Sequence, residues 1–179
     1  MKRLMLAGWA LWLSIALTSA GAEPPRVVLQ ITVDQLRGDM LARYRDRFGP
    51  GGFRRLLDEG TVFTNAHYGT GNTFTAAGHA VLVTGADTPE HGMVANDWWD
   101  RETGKTIYCT ADSAHQLLGE PTKAGAGTSP LNLTSTTLGD ELVGATNGRS
   151  RAFAVAGKDR SAIIPGGHRG KVFWWSVAQ

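Results

Sequence analysis

The run Arg26–Val33 (RVVLQITV) constrains this chain more than any other stretch. Its β-branched residues predict a buried strand, and it ends on a carboxylate, Asp34. Asp39–Leu57 then reads as helix in two pieces, broken by Gly49-Pro50-Gly51-Gly52, with Phe53, Leu56 and Leu57 sharing a face and Gly60 as the stop. Thr61–Ala66 (TVFTNA) alternates like a short strand. A helix is expected from Thr75 to Val83, closed by Thr84-Gly85. Residues 90–128 are glycine-rich and read as loops and short strands. Thr137–Gly144 carries a threonine three residues before an acid, a helix-start signal. Arg151–Ala156 (RAFAVA) is a second buried-strand candidate, and Lys171–Gln179 (KVFWWSVAQ) is an apolar, aromatic run. Strand, helix and strand in alternation predict an α/β fold with a mainly parallel sheet flanked by helices.

The first 22 residues are expected to lie outside that fold. Lys2 and Arg3, the apolar Leu4–Leu17 and the small residues Ala20-Gly21-Ala22 make the three-part pattern of a secretory signal peptide. The apolar run is short and is quickly broken by Ser19, Gly21 and Pro24-Pro25, so no stable membrane anchor is expected. Residues 23–179 are then one modest domain. Without Lys2 and Arg3 the formal charge of +2 falls to zero. No basic stripe interleaved with aromatics marks a nucleic-acid partner. The single cysteine, Cys109, has no partner for an internal disulfide; in an oxidising compartment it is either buried or paired outside the chain.

Five residues carry candidate chemistry. Asp34 closes a strand, where ligands gather in open parallel sheets, and its carboxylate suits Mg²⁺ or Zn²⁺. A helix cap is the equal alternative. Thr75 stands where a turn becomes a helix, so free N–H groups and the helix dipole favour an anion beside its hydroxyl. Read locally, an N-cap is the simpler role. Asn96 could donate its amide hydrogens to a substrate oxygen or serve a turn. Lys158 and Arg160, if extended, point one way with Asp159 opposite, a clamp for a dianion or a solvated charge cluster. Arg37-Gly38-Asp39, the sequon at Asn132 and the twelve-residue recurrence of His67, His79 and His91 carry no comparable signal.

The segments LQITVDQLRGDML, GPGGFRRLLDEG, TFTAAGHAVLVTG, HGMVANDWWDRETGKTIYC and AGKDRSAIIPGGH occur here in order. Together they resemble alkaline phosphatase superfamily enzymes, above all the zinc-dependent, phosphate-irrepressible periplasmic alkaline phosphatases; type I phosphodiesterases and nucleotide pyrophosphatases are more distant relatives. The resemblance spans about Val27 to the last residue. It implies that Asp34 is a zinc ligand and that Thr75 is the zinc-bound nucleophile that forms a phosphothreonine intermediate. It implies that Asn96 hydrogen-bonds a phosphoryl oxygen, and that Lys158 and Arg160 contact the remaining ones. The implied function is hydrolysis of small phosphate monoesters in the periplasm with two zinc ions. The alternatives are a phosphodiesterase or nucleotide pyrophosphatase, and a non-catalytic exported binding protein with a decayed site. The family's other zinc ligands have no match after Asp34, so the chain is expected to be an amino-terminal fragment with an incomplete fold, inactive alone.

Overall fold

The computed structural model describes residues 25–119 and 126–175. The expected signal peptide lies outside them, as do the last four residues of KVFWWSVAQ. Contacts divide the chain into two units, Met1–Met40 and Leu41–Gln179.

In the first unit the described residues form no strand. Arg26–Val33, expected as a buried strand, is exposed throughout, with Leu29 77% and Ile31 71% accessible. The correction has a physical cause: a strand exists through its ladder with a neighbour, and no described residue pairs with this run. The chain turns at Asp34-Gln35, Gln35 taking φ 60°. Arg37 meets Asp39 through two hydrogen bonds, of 3.0 and 2.8 Å, so that tripeptide is closed on itself.

Two helical pieces follow, α1 (Met40–Arg43), which begins on the last residue of the first unit, and α2 (Gly52–Glu59), separated by the glycine-rich break, with a short 3₁₀ turn at Arg45–Arg47. Gly60 ends α2 by donating to the carbonyl of Leu56. Thr61–Ala66 also forms no strand and is exposed, for the same want of a ladder partner. α3 (Thr75–Thr84) follows the expected bounds to within a residue. Its closing residue, Gly85, takes φ 69°, a left-handed conformation that glycine adopts without a Cβ penalty. α4 (Thr88–His91), which the sequence did not suggest, is nucleated by a capping box between Asp87 and Glu90. α5 (Leu138–Ala145) starts at Thr137, whose hydroxyl accepts from the Asp140 N–H while Asp140 reaches back. α6 is Asp159–Gly166.

Among the described residues, two small sheets form. β1 (Asp97–Asp100) and β2 (Lys105–Tyr108) make an antiparallel hairpin, and β3 (Phe153–Ala156) pairs in parallel with β4 (Lys171–Trp174). The β3–α6–β4 unit is the α/β element the alternation predicted, and the fold is an incomplete α/β domain. β3 is a strand but is not buried on both faces: Phe153 and Val155 stay exposed, while α6 packs against β3 and β4. That approach is close because Gly166 lacks a side chain; a Cβ there would run into Val172.

α3 and α6 pack together around Ala76, Ala80, Val83, Met93, Cys109, Leu133 and Ile164, with Trp98 and Tyr108 against the cluster. Cys109 is fully buried, the first of its two expected states. Burial pushes its thiol up to about 11. A thiol reagent at mildly alkaline pH should therefore react at least about tenfold more slowly with the native protein than with the denatured one. Equal rates would contradict this packing. Among the described residues no helix is long and apolar enough to cross a membrane.

Candidate active site

The amino-terminal end of α3 is assembled from three segments. Thr75 is the first helical residue, half-buried; the capping position belongs to Phe74, which has no side chain to cap with. The turn before it is held by Asn72, whose Oδ1 accepts from the Phe74 N–H at 3.3 Å. The Ala76 N–H, an orphan donor of the first turn, is met at 3.0 Å by Oδ1 of Asn96, twenty residues away. Thr75's own carbonyl accepts from Nδ1 of the buried His79 at 2.8 Å. The positive end of the helix dipole is thus presented beside a hydroxyl.

Asn96 is fixed at both ends. Its backbone carbonyl accepts from the Cys109 N–H at 2.9 Å. With Oδ1 engaged by Ala76, its Nδ2 amide remains to donate to a ligand at the same helix end. From the bend just before β1, Asn96 bridges α3 and the β1–β2 hairpin.

Lys158 and Arg160 do not lie on one side of an extended strand end. α6 begins at Asp159, so only Lys158 is extended (φ −136°, ψ 149°), while Arg160 sits in the first helical turn. Successive helical residues diverge by about 100°, which replaces the period-two arrangement. Lys158 is exposed and lines a cavity of about 600 Å³ at the carboxyl ends of β3 and β4, together with Tyr108, Leu117, Asp159, Trp174 and Trp175. Arg160 turns inward. Its Nη1 donates to Oη of Tyr108 at 3.0 Å. Tyr108 in turn donates to Asp159 Oδ1 at 2.8 Å, and Asp159 Oδ2 accepts from Thr110 at 3.4 Å. Burial pushes the Tyr108 phenol up to about 12, against a smaller opposing pull from the Arg160 hydrogen bond. Arg160 is held above its ordinary value: burial works against its charge, but Tyr108 and Asp159 outweigh it.

Tyr108 and Thr110 are the residues that sequence reasoning missed, and Asp159, read only as lying opposite the two cations, is their common partner. Their partners lie 49 to 52 residues apart, and no local spacing announces such a network. Four expected residues therefore fall in the second unit. Asn96 stands directly against the start of α3 beside Thr75, and the hairpin carrying Cys109 and Tyr108 ties it to Arg160. Asp34 belongs to the first unit, on its exposed turn.

Zinc sites draw about four donors each from Cys, His, Asp and Glu. Asp34 and Thr75 offer one carboxylate and one hydroxyl, and among the described residues no three His, Cys, Asp or Glu side chains converge. The described residues do not by themselves compose a two-zinc centre. What they show is a helix start with Asn96 held against it, and Arg160 held by Tyr108 at the start of α6.

The family model described as type I phosphodiesterase / nucleotide pyrophosphatase matches residues 28–177. Among curated proteins, the alkaline phosphatase PafA of Elizabethkingia meningoseptica is 42% identical over 151 residues, 84% of this chain and 28% of that protein. The alkaline phosphatase PhoV of Synechococcus elongatus is 40% identical over 151 residues, covering 84% and 27%. The crystal structure of PafA superposes with a TM-score of 0.77 at 42% identity, over 80% of this chain and 28% of that one. A second PafA structure carries a threonine changed to serine, and an asparagine, a lysine and an arginine changed to alanine; it superposes equally well, at 40% identity. The chain spans about 28% of the length of the relatives it matches.

Proposed function

Because the chain belongs to the type I phosphodiesterase / nucleotide pyrophosphatase family, we propose that it carries the nucleophile and phosphoryl-binding part of a phosphate monoester hydrolase. The observation that carries this reading is the assembly of Thr75, Asn96 and the α3 start by the Ala76–Asn96 hydrogen bond. The relatives named as alkaline phosphatases support it. So does the multiply substituted PafA: its four changed residues are a Thr, an Asn, a Lys and an Arg in the order and spacing of Thr75, Asn96, Lys158 and Arg160.

In this reading the Thr75 oxygen attacks phosphorus in line, the ester P–O bond breaks, and the alcohol leaves. Water then hydrolyses the phosphothreonine and returns the hydroxyl. The Asn96 amide and the helix start stabilise the equatorial oxygens, where charge develops. Lys158 and Arg160 neutralise the rest. The metal of the complete enzyme, two zinc ions in this reading, would supply Lewis-acid activation of the attacking and leaving oxygens, with Asp34 and Thr75 as two of its donors. Export to the periplasm, with residues 1–22 as signal peptide and residues 23–179 as part of the catalytic domain, completes the proposal.

The cation pair selects the substrate. A monoester has three non-bridging oxygens carrying nearly two charges, whereas a diester has two carrying one. Lys158→Ala in the full-length protein should lower kcat/KM for a monoester by about 30-fold, and for a diester by no more than about threefold. Equal losses on both would favour the diesterase reading.

A further inference from the structure

We propose that Tyr108 and Asp159 are the positioning pair that presents the Arg160 guanidinium to a phosphoryl group. This deepens the role given above to Arg160 and rests on it. Asp159 and Arg160 are adjacent in sequence, yet the first turn of α6 points them apart. Tyr108, arriving from β2, closes the gap: Arg160 Nη1 donates to its oxygen at 3.0 Å, and its proton goes to Asp159 at 2.8 Å. The phenol has one proton to give. Because the carboxylate takes it, the phenol oxygen turns its lone pairs to Arg160, and the negative charge behind it strengthens that acceptance. Thr110 donates to the other oxygen of Asp159, which fixes the carboxylate.

The arrangement differs in consequence from a direct Asp–Arg ion pair. A carboxylate facing the guanidinium would occupy two N–H groups in a fork and cancel its charge. The neutral phenol occupies one N–H and leaves the charge in place. Arg160 Nε is buried and makes no hydrogen bond, so the groups available to a ligand are Nη2 and the second Nη1 proton. With the guanidinium plane pinned at Nη1, that edge faces one direction. The high position of the Tyr108 phenol, about 12, keeps its proton in place well into alkaline solution.

The test is a double-substitution cycle in the full-length protein, read by calorimetric titration with inorganic phosphate and separately by p-nitrophenyl phosphate turnover. Tyr108→Phe should weaken phosphate binding about tenfold when Arg160 is present and less than about twofold in the Arg160→Ala background. Thermal melts of each variant report folding, and Asp159→Asn, read in the same cycle with about a threefold loss expected, decides the matter if Tyr108→Phe does not fold. Equal weakening in both backgrounds, no weakening in either, or no phosphate binding by the unsubstituted protein overturns the pair. Coupling in phosphate binding without any turnover leaves the pair standing and removes the hydrolase reading instead.

Discussion

Thr75→Ala is expected to lower phosphate monoester hydrolysis by the full-length protein by roughly 10⁴-fold or more while leaving the fold in place. The two halves of that expectation come from different features of α3. The loss in rate follows from the proposed function, in which the Thr75 oxygen bonds to phosphorus and alanine has nothing to replace it with. Retention of the fold follows because Thr75 is the first helical residue and not the cap, and because alanine is the best helix former. The Ala76–Asn96 bond, which ties the helix start to the hairpin, uses backbone on one side and is untouched by the change. The melting free energy should thus move by no more than about 1 kcal/mol. Thr75→Ser keeps a hydroxyl and should keep much of the rate. Trapping by acid quench separates nucleophile from bystander: radiolabelled phosphate from a monoester should remain on the unsubstituted protein and be absent from Thr75→Ala. Thr75→Ala keeping more than about a tenth of the rate would rule out Thr75 as nucleophile.

The same helix shows what the sequence could and could not disclose. α3 was legible because its signals are local: small residues after a glycine-bounded turn, and a glycine where the helix must stop. α5 was legible for the same reason, through Thr137 and Asp140. Arg26–Val33 and Thr61–Ala66 have strand composition, but strand formation depends on a neighbour to bond with, which composition does not supply. The Lys158–Arg160 segment was misread because the strand-to-helix switch falls inside it. The start of α6 has no side-chain cap to mark it. The identities of Thr75, Asn96, Lys158 and Arg160 could be carried by resemblance alone. Their supports could not, since Tyr108 and Asp159 meet only once β2 and α6 are folded against each other.

Folding of the second unit should depend most on a carboxylate that no catalytic role requires. Asp140 is 3% accessible and accepts hydrogen bonds from the backbone N–H groups of Thr137, His168 and Arg169 and from the His168 ring. The His168 ring spans from Asp140 to the Leu133 carbonyl, 3.0 Å from Nε2, so it joins α5 to the loop after α6 and to the core residue Leu133. Gly167 (φ 62°) passes so close that a Cβ would strike Asp140 and Thr137. Burial pushes the Asp140 carboxyl up, but the donors from Thr137, His168 and Arg169 outweigh it and hold it below its ordinary 3.8. A depressed folded-state value means that the carboxylate's stabilisation is fully present above 3.8 and is lost as pH falls through the folded value. Asp140→Asn turns an amide donor toward groups that are themselves donors, and should cost about 3 kcal/mol at neutral pH. In guanidinium melts of the two proteins, that difference should hold from neutral pH down to about the ordinary carboxylate range and shrink below it. A difference that stays constant through that acid range would mean that Asp140 acts through its shape alone, since only the charged carboxylate satisfies four donors at once.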